Sequence, residues 1–271
     1  MTAESTAPPS SSPEGSGNRK VALVTGAGKR LGRSIALGLA QRGWDLALHY
    51  LHSAAEANDT AALVRESGGA VALLQADLCE EPPTRALFSQ ALGHFGRVDA
   101  LVNNASRFSF DSPESCNFTS IASHWLPNLA APLVLAQALH AHCHGERRGV
   151  VVNILDQKLL NPNTDFFAYT LSKAALLHAT DLMARHFAPR VRVVGVSPGI
   201  TLPSGDQTDA GFLQAHAQTP LGRSSTPNDV VAAIVYLLEA PAVTGVNLVV
   251  DGGQHLWPSR RDVMFLTDDR R

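Results

Sequence analysis

The chain has 271 residues, a formal net charge of −2, 45% hydrophobic and 17% charged residues. That length suits one large domain with a sizeable core, and the near-neutral charge carries no electrostatic footprint for nucleic acid or an anionic membrane surface. No uninterrupted apolar run reaches the roughly 20 residues of a bilayer span, and three cysteines (Cys79, Cys116, Cys143) make no disulfide framework, which favours a reducing, cytoplasmic setting.

In chain order, residues 1–18 are rich in Ser, Pro, Gly and Thr and lack the apolar core of a signal peptide, so they read as a disordered leader. Residues 19–271 read as one domain. Val21-Ala22-Leu23-Val24 has the look of a buried parallel strand running into a tight turn at Thr25-Gly26. A helix is expected from Leu31 to Gln41. Strands follow at Leu46–His49, Ala70–Gln75, Ala100–Asn103, Val150–Ile154, Val191–Val196 and Asn247–Val250. Helices are expected at Ala54–Glu66, Thr84–Phe95, Trp125–His140, Tyr169–Phe187 and Pro227–Leu238. This alternation predicts an α/β fold, a doubly wound parallel sheet with helices on both faces. Two long polar stretches, Ser106–Ser123 and Gly199–Thr226, are expected as loops at the carboxyl edge, where open α/β sheets bind ligands.

Between the first strand and first helix stands Thr25-Gly26-Ala27-Gly28-Lys29-Arg30-Leu31-Gly32. Glycines at a strand-to-helix turn let backbone N–H groups approach a pyrophosphate at the helix N-terminus, and Lys29, Arg30 and Arg33 add positive charge. The end of the second strand distinguishes the two nicotinamide dinucleotides, because an acidic residue there suits a ribose 2′-hydroxyl and repels a 2′-phosphate. Here His49-Tyr50-Leu51-His52-Ser53 contains no acid before Glu56, so NADPH is the expected cofactor. Farther on, Tyr169 and Lys173 lie four apart on one helical face. A phenol with a usual pKa near 10 needs a neighbour to act at neutral pH, and an ammonium can lower it.

Thr25-Gly26 with Gly32, Asn103-Asn104-Ala105, Tyr169-x-x-x-Lys173, Pro198-Gly199 and Asp251-Gly252-Gly253 stand in the order of the short-chain dehydrogenase/reductase family, which this chain resembles from about Lys20 to Leu256. The resemblance implies a Rossmann-type fold and hydride transfer from a nicotinamide. It makes Tyr169 the general acid and Lys173 the residue that holds the ribose and depresses the tyrosine pKa. Asn128 would support a proton-relay water. Asp77, with Leu78, would contact adenine, and Asn104, Ala105, Pro198 and Gly199 would line the cofactor groove.

Two departures sharpen this. The family's usual serine thirteen residues before the tyrosine is Asp156, and its usual middle glycine is Arg30. A carboxylate repels an oxyanion but can hold a proton or accept hydrogen bonds from an amino-substituted heterocycle. Both departures resemble the pteridine reductase branch. So do His49-Tyr50-x-x-Ser53 as a 2′-phosphate segment, with His52 where an arginine is common, and Asn104-Ala105-Ser106-Arg107-Phe108 as a pterin pocket. Ser106 would hydrogen-bond there and Phe108 would stack on the ring. The expected reaction is NADPH-dependent reduction of a dihydropterin, of dihydromonapterin, dihydrobiopterin or dihydrofolate type. The expected substrate contacts are Arg30, Ser106, Phe108, Asp156 and Tyr169. Near Asp156, burial would raise the carboxyl pKa while Lys173 and Arg30 would lower it.

No metal site is expected, since His140-Ala141-His142-Cys143-His144 reads as a solvated helix end. The tail's Val263-Met264-Phe265-Leu266 reads as a subunit contact, the resemblance implies a homotetramer, and Arg260 and Arg261 are candidates to reach a neighbouring active site. Two other readings remain open: an ordinary family member acting on a carbonyl or alcohol such as a 3-oxoacyl substrate, and an NADPH-sensing regulator without turnover.

Overall fold

The computed structural model describes residues 19–203 and 207–265; the leader expected at 1–18 and Leu266 lie outside them. Val21–Val24 forms β1 and pairs in parallel on one side with β2 (Asp45–Tyr50) and on the other with β4 (Ala100–Asn103). With β3 (Val71–Gln75), β5 (Gly149–Ile154), β6 (Val191–Pro198) and β7 (Asn247–Val250), the sheet is wholly parallel, in the order β3-β2-β1-β4-β5-β6-β7. This is the Rossmann-type architecture. Chain direction across the sheet reverses between β1 and β4, which opens a crevice at their carboxyl ends.

Strand side chains alternate between faces, and the core follows that alternation. Ala22 and Val24 pack with α1 (Arg30–Ala40), α2 (Ala54–Glu66) and α8 (Pro227–Glu239). Leu23 faces the opposite layer of α3 (Glu81–Phe95), α5 (Ala131–His142) and α6 (Phe167–Phe187). Because the strands are buried on both faces, they read as continuous apolar runs.

Three expectations change. The stretch expected as a loop to Ser123 ends at Asn117, where a reciprocal cap between Asn117 and Ser120 starts α4 (Phe118–Trp125). A wide helical turn, Leu126–Ala130, then joins α4 to α5 and takes Pro127 into the helical path. Within the expected loop Gly199–Thr226 lies α7 (Asp209–Ala217), whose Thr208 hydroxyl accepts from the Gly211 N–H at 3.1 Å. Finally, α3 begins at Glu81 rather than Thr84, with proline in its first turn, where the missing N–H costs no helical bond.

Candidate active site

The turn from β1 to α1 is held by backbone contacts that leave no room for side chains. A Cβ on Gly32 would lie 2.0 Å from the Gly26 carbonyl oxygen, and one on Gly26, at φ +64°, would lie 2.9 Å from the Ala105 Cα. Asn104 donates through Nδ2 to the carbonyls of Thr25 (2.9 Å) and Gly26 (3.1 Å), while the Thr25 hydroxyl accepts from the N–H groups of Asn104 and Ala105, both at 3.0 Å. The turn is thereby sewn to the end of β4. A Cβ on Gly28 would reach within 2.8 Å of the Ser53 hydroxyl, so the glycine keeps open the strip between the turn and the end of β2. Lys29 and His52 are exposed beside that strip, Tyr50 and Ser53 are half-buried, and no acidic side chain stands there before Glu56 in α2. These residues fit a dinucleotide carrying a 2′-phosphate: a cradle closed to side chains, cations at its rim, and no carboxylate at the ribose end.

His49 corrects the sequence reading. It is neither a surface histidine nor a cleft residue but is buried beneath the turn at 2% exposure. Its Nδ1 accepts from the Gly26 N–H at 3.1 Å, and its Nε2 faces the Ala76 carbonyl at 3.1 Å, which assigns the neutral ring with its proton on Nε2. Burial lowers its pKa, against the opposing pull of the Ala76 carbonyl and Asp77. Asp77 accepts from the Cys79 N–H at 2.8 Å, and Leu78 is buried.

The chemical groups converge at the ends of β5 and α6. Phe166, at φ +56°, turns the chain into α6, and Asp111 takes up the helix's early N–H groups, the Ala168 N–H reaching Oδ1 at 3.0 Å. Tyr169 then sits in the first turn and donates its hydroxyl to Asp156 Oδ2 at 2.7 Å. The other carboxylate oxygen of Asp156 accepts from the Lys158 N–H at 2.8 Å, so Asp156 both caps a short 3-10 turn and meets the tyrosine. Lys173 donates to the Ile154 carbonyl at 2.7 Å. Burial raises the Asp156 carboxyl above its ordinary range, outweighing the Lys158 N–H, the Tyr169 hydroxyl and Lys173. Burial lowers the Lys173 ammonium to about 8, with Asp156 opposing.

The expected depression of Tyr169 is overturned. Burial, and then the Asp156 charge and hydrogen bond, push the phenol well above its usual value. Beside burial the second cause is proximity: the Asp156 carboxyl accepts a hydrogen bond from the phenol directly, whereas the Lys173 ammonium is tied to a carbonyl and lies 5.9 Å from the ring centroid. The Asn128 Oδ1 accepts from the Arg107 N–H at 2.8 Å, and its Nδ2 donates to the Arg107 carbonyl and the Ser172 hydroxyl, both at 3.0 Å, so its side chain holds the segment that carries Phe108.

A cleft of about 800 Å³ runs along this edge, with Arg30, Ser106, Phe108, Asp156, Tyr169 and Lys173 in its wall. Leu31, Asn104, Pro198 and Gly199 border it as well, whereas the other expected cofactor residues lie outside it. Arg30 takes φ +54°, a conformation unfavourable for a side-chain-bearing residue, and donates to the Pro203 carbonyl at 2.7 Å. Phe108, 41% exposed, stacks on Phe166 at 4.1 Å and meets Tyr169 edge-on at 4.7 Å.

Comparison with known proteins agrees with this arrangement. The family model for enoyl-(acyl carrier protein) reductase matches residues 26–255. The chain belongs to the short-chain dehydrogenase/reductase family. It is an oxidoreductase of that family by fold, by the Tyr169–Lys173 pair and by its relatives. An uncharacterized oxidoreductase of Mycobacterium tuberculosis is 37% identical, over 86% of this chain and 91% of the relative. Pteridine reductase 1 of Leishmania tarentolae is 33% identical, over 87% and 96%. The 3-oxoacyl-acyl-carrier-protein reductase of Bos taurus is 31% identical, over 88% and 98%. Among solved structures, FolM alternative dihydrofolate reductase 1 from Brucella canis, complexed with NADP, superposes with a TM-score of 0.83 at 35% identity, covering 89% of this chain and 96% of that one.

Several residues at this family site carry no signal in the sequence pattern. The C-terminal segment folds back over its own cleft: Asp262 pairs with Lys158 at 2.9 Å, and Arg261 pairs with Asp165 at 2.8 Å. Arg261 is thus paired within its own chain, and Phe265 packs on Phe110 and Phe166. Position Lys158, two residues past Asp156, was the one available hint. At the far edge of the sheet, His140 and His142 are engaged by Arg190 and Arg147, and the described residues hold no cluster suited to a metal ion.

Proposed function

We propose that this reductase transfers a hydride from NADPH to the C=N bond of a dihydropterin, giving the tetrahydro form. The observation that carries the reading is Asp156 in hydrogen-bond contact with Tyr169, in one cleft with the exposed face of Phe108 and the Arg30 guanidinium. A serine hydroxyl suits a carbonyl oxygen, whereas a carboxyl held above its usual pKa suits proton delivery to a ring nitrogen and hydrogen bonding to an amino-substituted heterocycle. The likeness to pteridine reductase 1 and to the NADP-bound FolM structure supports the same reading.

Gly26, Gly28, Lys29, Leu31 and Gly32 would hold the pyrophosphate, Tyr50, His52 and Ser53 the 2′-phosphate, Asp77 and Leu78 the adenine end, and Asn104, Ala105, Pro198 and Gly199 the groove. His49 supports the turn from below. NADPH, when bound, supplies the hydride that reaches the carbon of the C=N bond. Phe108 gives the flat ring a surface to stack on, and Ser106 and Arg30 orient its polar edge. Tyr169, kept protonated by burial and by Asp156, delivers the proton to the nitrogen. Asp156, itself held above the ordinary carboxyl range, then takes up a proton from solvent in the cleft and passes it to the phenolate. Lys173 keeps a positive charge beneath the pair while the phenolic proton is away.

Exposed apolar side chains on α4 and α6, Phe118 at 93% and Leu182 at 65% exposure, favour the homotetramer that the family resemblance implies. Light scattering should then give four times the 28.8 kDa chain mass. Three unpaired thiols fit a cytoplasmic setting, and no helix of the described residues is long and apolar enough to cross a membrane.

The test is NADPH oxidation with dihydropterins beside a ketone panel, for the wild type and Asp156→Ser. Pterin-dependent turnover that collapses in the variant is the expected result. Turnover confined to ketones and surviving the substitution would return the protein to carbonyl chemistry, as in its 3-oxoacyl relative. Tight NADPH binding without turnover of either class would make it a sensor.

A further inference from the structure

The segment after β7 has no part in the sheet or in the cofactor turn, yet it closes one side of the cleft. Trp257, Ser259 and Met264 lie in the cleft wall opposite the β1–α1 turn. Two ionic contacts fix it there. Asp262 accepts from the buried Lys158 ammonium at 2.9 Å, and Lys158 is the residue whose N–H holds Asp156. The Arg261 guanidinium donates to both oxygens of the buried Asp165, at 3.1 and 2.8 Å, and the Asp262 N–H adds a third contact at 2.7 Å. Burial alone would raise the Asp165 carboxyl, but Arg261 and the Asp262 N–H outweigh it and hold it low, so the clamp is ionic at neutral pH.

Asp165 directly precedes Phe166, and the segment's own Phe265 lies on the far side of that ring. Phe265 stacks on Phe166 at 6.0 Å and 13°, Phe166 stacks on Phe108 at 4.1 Å and 18°, and Phe110 meets Phe166 and Phe265 edge-on. Aromatic rings in such contact position one another through shape and quadrupole. A continuous column therefore runs from the C-terminal segment to the ring at the reacting end of the cleft, and a separate link runs from Asp262 through the Lys158 ammonium and that residue's backbone N–H to the carboxyl beside Tyr169.

We propose that Arg261–Phe265 is a specificity-determining strap, in which Arg261, Asp262 and Phe265 are positioning residues that set Phe108 and Asp156 for a flat substrate. The assignment rests on the reading of Phe108 as the stacking surface. The strap works in cis and reaches the reacting centre indirectly at two points, through Phe166 to the stacking ring and through Lys158 to the proton-holding carboxyl. The groups facing Asp156 are Tyr169 and Lys173 from α6, Lys158 from the 3-10 turn, Asp262 from the strap and Arg30 across the cleft. Burial contributes most to the raised Asp156 carboxyl, and the Asp262 charge acts in the same direction on both Asp156 and Tyr169.

The experiment compares wild type, Arg261→Ala, Phe265→Ala, Asp262→Asn and Asp262→Glu as full chains, with steady-state kinetics over pH, NADPH affinity by fluorescence titration, and calorimetric binding of folate to the NADP+-loaded protein. Arg261→Ala and Phe265→Ala should raise KM for the dihydropterin, and the folate Kd, by about tenfold or more, because misplacing a positioning element by an ångström costs one to two orders of magnitude. NADPH affinity should stay within about twofold, since the strap lies outside the β1–α1 turn. Asp262→Asn should move the basic limb of the kcat profile to lower pH, and Asp262→Glu should restore it. Arg261 is half-exposed, so its variant remains informative should the buried pair at Asp262 prove necessary for folding.

Unchanged KM and folate Kd in Arg261→Ala and Phe265→Ala would overturn the strap. A rise in KM and folate Kd that comes with lost NADPH affinity and lost thermal stability would reduce it to a structural element and equally overturn it. The wild type's own choice between pterin and ketone tests the functional reading separately. With a ketone as the preferred substrate, the variant-to-wild-type ratio for that ketone decides the strap, tenfold supporting it and unity overturning it.

Discussion

The two ends of the cleft are built from different materials. At the cofactor end the working surface is the backbone of one tight turn: glycines closed to any side chain, with the Asn104 side chain bonding its carbonyls and one buried histidine accepting from it below. At the catalytic end the contacts are side chain to side chain and come from four parts of the chain: Asp156 after β5, Tyr169 and Lys173 in α6, Phe108 after β4, and the strap near the C-terminus. A backbone cradle fails by steric intrusion, in stability and cofactor affinity together. A side-chain cluster fails by chemistry, with the fold intact. That contrast tells which measurement should respond to which change.

The largest effect belongs to the catalytic end. Tyr169→Phe keeps the ring that Phe108 meets but removes the proton, so kcat should fall by about 10²-fold or more with NADPH affinity preserved; stopped-flow or steady-state NADPH oxidation reads it. Comparable loss of NADPH binding would break the division between the two ends. The next effect belongs to the cradle. Gly32→Ala forces a Cβ against the Gly26 carbonyl, and overpacking of this kind costs about 1–3 kcal/mol. Thermal midpoint and NADPH affinity should fall together, while any bound cofactor still reacts at the normal kcat.

His49 gives the comparison a pH axis. Its folded pKa lies below the usual 6.5, so the unfolded chain binds the proton more readily, and the contribution to stability is lost as pH falls below about 6.5. Protonation would also set an N–H of Nδ1 against the Gly26 N–H. Denaturant titrations of His49→Asn between pH 5 and 8 should show a flatter pH dependence than wild type, with a loss of about 1–3 kcal/mol at neutral pH from the unmatched buried partner. An unchanged slope would show that another group dominates. The smallest effect runs the other way. Arg30→Gly relieves a left-handed conformation worth about 1 kcal/mol, so the thermal midpoint should rise slightly while KM for the substrate rises and NADPH turnover slows. A variant both less stable and fully active would refute the assignment of Arg30 to the substrate side.

Much of the cofactor end was legible because it is local. Thr25 to Gly32 is one continuous segment, and a strand-to-helix turn dense in glycine permits few geometries. The parallel sheet with helices on both faces was legible for a similar reason, since apolar runs alternate with helical segments along the chain. Tyr169 and Lys173 were legible through helical spacing, and Asp156 through its distance from the tyrosine. The irregular stretches resisted. The reciprocal cap at Asn117 lies in polar sequence that reads as loop, and α7 is too short and weakly patterned to stand out.

By itself, then, the sequence determined the parallel α/β domain, the glycine turn and the tyrosine–lysine pair, because each is written in residues near one another in the chain. Only the tertiary structure decided that His49 is buried under the turn, that Tyr169 is raised rather than lowered, and that the Asn128 side chain bonds Arg107. It alone decided that the C-terminal segment pairs with Lys158 and Asp165, about a hundred residues away in the chain. Burial and long-range pairing set those outcomes. Both depend on which surfaces meet after folding, and local periodicity does not encode that.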